Sequence, residues 1–419
     1  MRRVPRPPVR SALDRVGTVS INGFKSIWSQ QIALGRLNVF IGANGSGKTA
    51  LLEAIGVLGA AASGRVDDVE LLRRGVRPGV PKLFKSAFEG RIPRVIKLSG
   101  VSRRGARYDV TLDNPQDSAA TPWRFSTEAL HVGETKIVTR SPRGGNRWEE
   151  GKKFPIKPAD PYRGIAPVLQ AMDFVPGHGT GLLKRLSEFV IYDPQTAVLR
   201  GTMADTLPLD PLGLQGGRLA EAVGQLLRPE EGTLGGMPLS DLFALIDWAS
   251  EIGVSVPTPD LLSPSIPAVT EILRFTDRYL RRDRNRLSAY DASEGALYVL
   301  FALTLLLHPR TPLIFAVENI DHALHPRLAR ALVRTLGEQR RPPSISKQIL
   351  LTTHNPLVLD GLDLADDEIR LFTVDRTVSG HTVVHRVEYT EALSKAQAQG
   401  VTLSQMWTRG LLGAVPNLG

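Results

Sequence analysis

Residues 37–49 read LNVFIGANGSGKT. The short, mainly apolar run Leu37 to Ile41 predicts a buried strand, and Thr49 to Ala61 predicts a helix. Between them, residues 42–49 (GANGSGKT) match G-x-x-x-x-G-K-[ST] in full, in the strand–loop–helix context the motif requires. Its glycines free backbone N–H groups to turn toward phosphate oxygens, and the helix N-terminus adds the positive end of its dipole. Lys48 is expected to reach the β- and γ-phosphates and the Thr49 hydroxyl to ligate Mg²⁺. The expected nucleotide contacts along the loop are Gly42, Asn44, Gly45, Ser46, Gly47, Lys48, Thr49 and Ala50, with ATP and Mg²⁺ as the groups bound.

The rest of the composition is compatible with this. A chain of 419 residues with 42% hydrophobic content suggests roughly two or three domains and an ample core. Cysteine is absent, which excludes disulfides and Cys-zinc sites and suits a reducing cytosol, so a cytoplasmic location is expected. Met1 to Arg10 has four arginines, three prolines and no apolar core; it reads as a loose basic arm rather than a signal peptide. The longest mainly apolar run, Ala296 to Leu307, is too short to span a bilayer, so no membrane partner is expected. The net charge of +10 permits a polyanionic partner without showing one.

Along the chain, Val16 to Ile21 predicts a strand, and Val95–Leu98, Tyr108–Leu112 and Thr135–Val138 suggest a β-rich stretch. Leu313–Val317 and Gln348–Thr352 read as central parallel strands separated by a helix over Asp321–Leu336, and Leu371–Val374 with Thr382–Val387 as a late hairpin. The expected organisation is a basic arm at 1–15, the first part of an ATP-binding core with a β-rich lobe at 16–157, a mainly helical insertion at 158–286, and the second part of the core at 287–419. The fold class is therefore α/β.

Three further matches carry a family resemblance. Gly23-Phe24-Lys25-Ser26 precedes the phosphate loop, whose own form is G-x-N-G-x-G-K-T; Ser293-Glu294-Gly295 opens the apolar helix; and residues 350–360 (LLTTHNPLVLD) end a strand in His354. Over Val16–Gly56 and Tyr290–Asp375 the chain resembles the ABC-type chromosomal ATPases, the RecF, SMC and OLD groups and the AAA-labelled ATPases related to them. The resemblance implies a P-loop ABC-type core, nucleotide contacts from Lys25 and Ser26, and a switch histidine at His354. It implies that Ser293 and Gly295 hold the γ-phosphate of a nucleotide on a second subunit, hence a head-to-tail homodimer or larger oligomer. Taken by itself, Ser293 reads first as an ordinary helix N-cap, with Glu294 in the first turn.

Residues 313–326, LIFAVENIDHALHP, depart from that family. Relatives read Asp-Glu after the apolar run and Leu-His-Pro four residues later. Anchoring on Leu324-His325-Pro326 puts Glu318 at the Mg²⁺-associated acid and Asn319 at the catalytic glutamate. Glu318 can still serve Mg²⁺, but an amide accepts no proton from water, so slow hydrolysis is expected. The catalytic set read from this alignment is Glu318, Asn319 and His354. Asp321, at the expected helix start, is expected to point elsewhere.

Other signals are weaker. The six arginines of Ile272–Arg286 read first as a solvated helix face and second as contacts to nucleic acid or nucleotide phosphates. Asp363, Asp366 and Asp367 read as a charged surface turn. No glutamine stands out as the one that relatives carry near the metal. The resemblance implies an ATP-dependent sensor and scaffold controlling a separately encoded effector, a nuclease or toxin, in bacterial anti-phage defence. The alternatives are a RecF-like ATPase acting on DNA and a housekeeping ATPase with brisk turnover.

Overall fold

The computed structural model describes residues 15–413 except 89–91, 116, 118–120, 158–159, 208, 264, 267–269 and 339–346. The arm expected over 1–15 thus lies outside the described residues apart from Arg15, as does the chain end from 414. β1 (Val16–Phe24) and β2 (Ile27–Ala33) form a hairpin and lead into β3 (Leu37–Ile41). A meander follows: β4 (Val95–Ser102), β5 (Ala106–Asp113), β6 (Arg124–Val132), β7 (Thr135–Ser141), β8 (Gly144–Glu149) and β9 (Lys152–Ile156). Because β4 pairs with β1, these strands make one antiparallel sheet ordered β2-β1-β4-β5-β6-β7-β8-β9. In β5, Ala106, Tyr108, Val110 and Leu112 bury while their neighbours face outward, the alternation of a sheet with one covered face.

β10 (Val190–Tyr192) returns to the core, and two small sheets follow: β11 (Leu227–Arg228), β12 (Thr233–Leu234) and β13 (Met237–Pro238), then β14 (Ala249–Ser255), β15 (Ile272–Asp277) and β16 (Arg286–Ser288). β17 (Ile314–Val317), β18 (Gln348–Thr353), β19 (Ile369–Arg376) and β20 (Thr382–Val387) complete a sheet ordered β10-β17-β18-β3-β19-β20. Its first five strands are parallel, and β20 runs antiparallel to β19.

Both faces of this sheet are covered, which is why β3, β17 and β18 are buried throughout. Leu37, Val39 and Ile41 face a core built on the helix Glu294–Leu307, whereas Phe40 faces the helix Lys48–Ala62 and the antiparallel sheet. No helix among the described residues is long and apolar enough to cross a membrane.

Two local expectations change. The stretch 158–286 carries the helices Ala166–Ala171, Gly177–Ser187, Thr196–Leu199, Leu219–Leu226 and Leu239–Leu245, but also β10 to β16. Within it, 272–286 is not a helix face: Leu273 and Phe275 bury on alternate positions and pair with β14 and β16. The helix expected over Asp321–Leu336 starts instead at Pro326, with proline at its first position. Residues 318–325 are mainly turns because Asn319 (φ 47°) and Ala323 (φ 58°) are left-handed, a conformation no helix contains.

The helix Lys48–Ala62 depends on a close approach. A Cβ on Gly59 would stand 2.5 Å from the Leu186 carbonyl oxygen of the helix Gly177–Ser187. Alanine at an exposed helix position would stabilise by about 1 kcal/mol relative to glycine. At Gly59 the backbone clash should outweigh that gain, so Gly59→Ala should lower the midpoint of urea unfolding. A raised midpoint would contradict this packing.

Candidate functional site

The hydrogen-bond register of the parallel strands assembles the site. Tyr192 pairs with Val317, Val317 with Leu351, and Thr353 with Ile41. The next residues, Asp193, Glu318, His354 and Gly42, therefore all emerge at the C-terminal edge of one sheet, where open α/β folds place their ligand sites. The turn after β17 is fixed by β18: Thr352 Oγ1 accepts from Asn319 N (2.9 Å), and Thr352 O accepts from Ile320 N (3.1 Å).

Tight packing shapes the phosphate loop. A Cβ on Gly42 would lie 2.2 Å from the Val374 carbonyl oxygen. A Cβ on Gly47, at φ 114°, would lie 2.2 Å from Thr382 Oγ1. The Thr382 hydroxyl is 2.7 Å from both the Ser46 carbonyl oxygen and Ser26 Oγ. Since a carbonyl only accepts, Thr382 donates to Ser46 and accepts from Ser26. Thus Ser26 reaches the loop through β20. Asn44 and Gly45 are exposed on the loop, and Arg376 Nε donates to the Gly45 carbonyl (2.9 Å). Ala50 is buried in the first turn of the helix that follows.

Lys48 is buried and donates to the carbonyls of Gly42 (2.7 Å) and Ala43 (2.9 Å), with His354 Nδ1 at 3.4 Å. Burial pushes its amine down to about 8, opposed by the negative charges of Asp321 and, less, Glu318. Partial desolvation and the nearby Lys48 hold His354 below the usual imidazole range. Burial raises the Glu318 carboxyl; the Thr49 hydroxyl opposes this as a donor, and Asp193 adds to it.

Asp321 corrects the expectation that it points elsewhere. The turn brings it close enough to be the first of the charges acting on Lys48, and it also acts on His354. Asp321 Oδ1 and Glu318 Oε1 are both buried with no hydrogen-bond partner among the described residues. Asn319 is exposed and left-handed, a conformation that asparagine tolerates better than most residues. A hard cation takes oxygen ligands and keeps waters, and Thr49 beside the orphaned Glu318 oxygen fits one, although no group of three or more His, Asp or Glu among the described residues forms a complete metal cage.

Lys25 lies in an ion pair with Glu53, which is fully buried and also takes Arg77 Nε (2.8 Å). The ammonium sits 4.9 Å from the centre of the Phe84 ring. Ser293 is the exposed N-cap of the helix Glu294–Leu307; its hydroxyl accepts from Ala296 N (3.4 Å) and from Trp248 Nε1 (3.2 Å). Gly295 packs under the turn of Ala323 and Leu324 without crowding.

Sequence reasoning passed over Asp193 and Gln195. Gln195 Nε2 donates to Asp193 Oδ2 (3.0 Å), and burial raises the Asp193 carboxyl. This segment also reaches the Ser293 helix, since the Pro194 carbonyl accepts from Tyr298 OH (2.8 Å) and Thr196 bonds Glu294. The available signal was the apolar run Phe189–Tyr192 ending in Asp-Pro-Gln, a strand end much like that before Glu318. The acidic turn is ion-paired: Asp366 with Arg36 (3.0 Å), and Asp367 with Arg370 (2.8 Å) and Arg386 (2.5 Å).

A family model described as "AAA domain, putative AbiEii toxin, Type IV TA system" matches residues 37–183 and 249–360, more than half of the chain. No curated protein matches. Similar solved structures include an Smc head bound to the C-winged helix domain of ScpA (12% identity, TM-score 0.44, covering 90% of this chain and 99% of that one). Others are an Smc head with an extended coiled coil bound to the C-terminal domain of ScpA from Pyrococcus furiosus (11%, 0.45, 92% and 99%) and the SMC head domain from Thermotoga maritima (15%, 0.40, 89% and 99%). The fold assignment rests on the family match and the strand order.

The Lys48 amine gives a pH test. Bound phosphates would raise its pKa above the value of about 8 in the free chain, so ATP binding should take up a proton above that pH. Affinity should then fall above pH 8 by up to about tenfold per pH unit, and Lys48→Arg should flatten the profile. Titration with a fluorescent ATP analogue between pH 7 and 10 measures this. A flat wild-type profile would contradict the role given to Lys48.

Proposed function

This chain belongs to that AAA-domain family, and we propose that it is an ATP-binding, slowly hydrolysing ATPase whose ATP-bound form closes two copies into a clamp controlling a separate effector. The observation that carries the reading is the pair of buried, unpartnered carboxylate oxygens on Glu318 and Asp321, both acting on Lys48 beside the phosphate loop. Glu318 and Thr49 would hold Mg²⁺, which when bound neutralises phosphate charge. Lys48 would contact the β- and γ-phosphates, with the loop from Gly42 to Ala50 around them and Ser26 bracing the loop through Thr382. His354, beside Lys48, would sense the γ-phosphate.

Turnover is slow on this reading because Asn319 cannot accept a proton; a missing general base costs about 10² to 10⁴ in rate. Asp321, near Lys48, is the carboxylate left to take the proton of the attacking water. Ser293 and Gly295 would serve the nucleotide of the second copy: Ser293 is exposed, and the helix start offers its dipole to an anion. The family description names a toxin and a type IV toxin–antitoxin system. We therefore place the clamp in a cytoplasmic anti-phage or toxin-like system, holding or releasing a nuclease or toxin.

The clamp is tested by Ser293→Asp. Aspartate is as good an N-cap as serine, so the helix should remain intact, while its charge would repel a γ-phosphate. Light scattering should show ATP-dependent association of the wild type and none of the variant, with equal ATP affinity in both. Equal association of both would exclude Ser293 from the closed interface.

A further inference from the structure

We propose that the turn joining β15 to β16 is a binding finger for single-stranded nucleic acid. Residues 278–286 read RYLRRDRNR, five arginines against one aspartate. Arg278, Arg281, Arg282, Arg284 and Arg286 are all exposed. Tyr279 is 76% exposed and Leu280 46%, so the tip presents an aromatic face among guanidinium groups. The acids nearby offset only part of this charge: Asp260 feels Arg286, though less than it does the Thr258 hydroxyl. Asp277 accepts from the backbone N–H groups of Tyr279 (2.7 Å) and Leu280 (3.2 Å), which folds the turn, and among the described residues Asp283 pairs only with Arg281 (3.3 Å). Arg282 and Arg284 form no ion pair among the described residues.

The finger is held in place at its base. Arg278 N donates to the Trp248 carbonyl (3.0 Å) and Arg278 Nη2 to that of Ala249 (2.7 Å). Asp277 N donates to the Asn285 carbonyl (2.8 Å), and Arg284 N to that of Arg281 (2.8 Å). A pre-ordered loop loses little entropy on binding.

The chemistry selects the partner. Clustered arginines track a phosphate backbone, and an exposed tyrosine beside them stacks an unpaired base. Duplex bases are already stacked and would leave Tyr279 idle. A lipid surface calls for a wider apolar face than Tyr279 and Leu280 provide. An acidic protein surface would use the arginines but not the aromatic ring. None of this uses the ATP site, so the finger stands or falls apart from the clamp.

Fluorescence anisotropy of labelled dT20 and rU20 with the full chain, without nucleotide, tests it. At least one should bind, more weakly as salt rises. Arg282→Ala with Arg284→Ala should weaken binding about tenfold and reduce the log–log salt slope by roughly 1 to 2. Tyr279→Ala should weaken it about tenfold with the slope unchanged, and Tyr279→Phe should restore it. All variants change exposed groups and should melt with the wild type. The proposal is overturned if neither oligonucleotide binds, if the variants bind like wild type, or if Tyr279→Phe binds no better than Tyr279→Ala. It is also overturned if a 20-base-pair duplex or polyglutamate displaces the probe as well as unlabelled dT20 or rU20, since polyglutamate would point to an acidic protein partner.

Discussion

The register of five parallel strands is the constraint from which the site follows. A shift of one residue between β17 and β18 would turn Glu318 away from the loop and separate Asn319 N from Thr352 Oγ1. The register is specified because both faces are buried, and because Gln348 ties the sheet to the start of β1: its Nε2 donates to the carbonyls of Val16 and Gly35 (2.8 Å each), and Oε1 accepts from Val16 N (3.1 Å). Packing far from the phosphate loop thus sets which side chains meet there.

Charge is distributed in two layers around Lys48. Its own ammonium rests on loop carbonyls with Asp321 and Glu318 nearby. Behind it, buried Glu53 joins Lys25 and Arg77, linking the turn after β1 to the helix that begins at Lys48. An unpaired carboxylate at Glu53 would be costly, so the two cations are needed to fix this acid in place. Arg77 in turn acts on Glu318 and Asp193, so a change at Lys25 or Arg77 would be felt at the site.

Much of this was legible in the sequence where local patterns and backbone geometry agree. LNVFIGANGSGKT specified its strand, loop and helix because the glycines are required by contacts with Val374 and Thr382. Thr382–Val387 was readable as half of a hairpin, but its bond to Ser46 was not, because it joins residues 336 apart. The turn after Glu318 differs from its sequence reading: ENIDHALHP has helix-compatible spacing, but the bonds of Asn319 N and Ile320 N to Thr352 of β18 hold a turn in which Asn319 is left-handed and Asp321 lies near Lys48. Asp193 went unnoticed since a three-residue strand, Val190–Tyr192, carries too little periodicity to stand out from the helices around it. The arginines of 272–286 were visible, but the hairpin that exposes Tyr279 comes from the pairing of β15 with β16.

On the proposed reading, Asp321 and not the residue at the usual base position faces the reacting phosphate, and Asn319 keeps turnover low. Steady-state phosphate release by wild type, Asn319→Glu and Asp321→Asn tests it most directly. Wild-type release should be slow, with a further fall in Asp321→Asn and a rise in Asn319→Glu, reduced because a left-handed glutamate costs about 1 kcal/mol. Brisk wild-type release, slowed by Asn319→Glu and unaffected by Asp321→Asn, would contradict it.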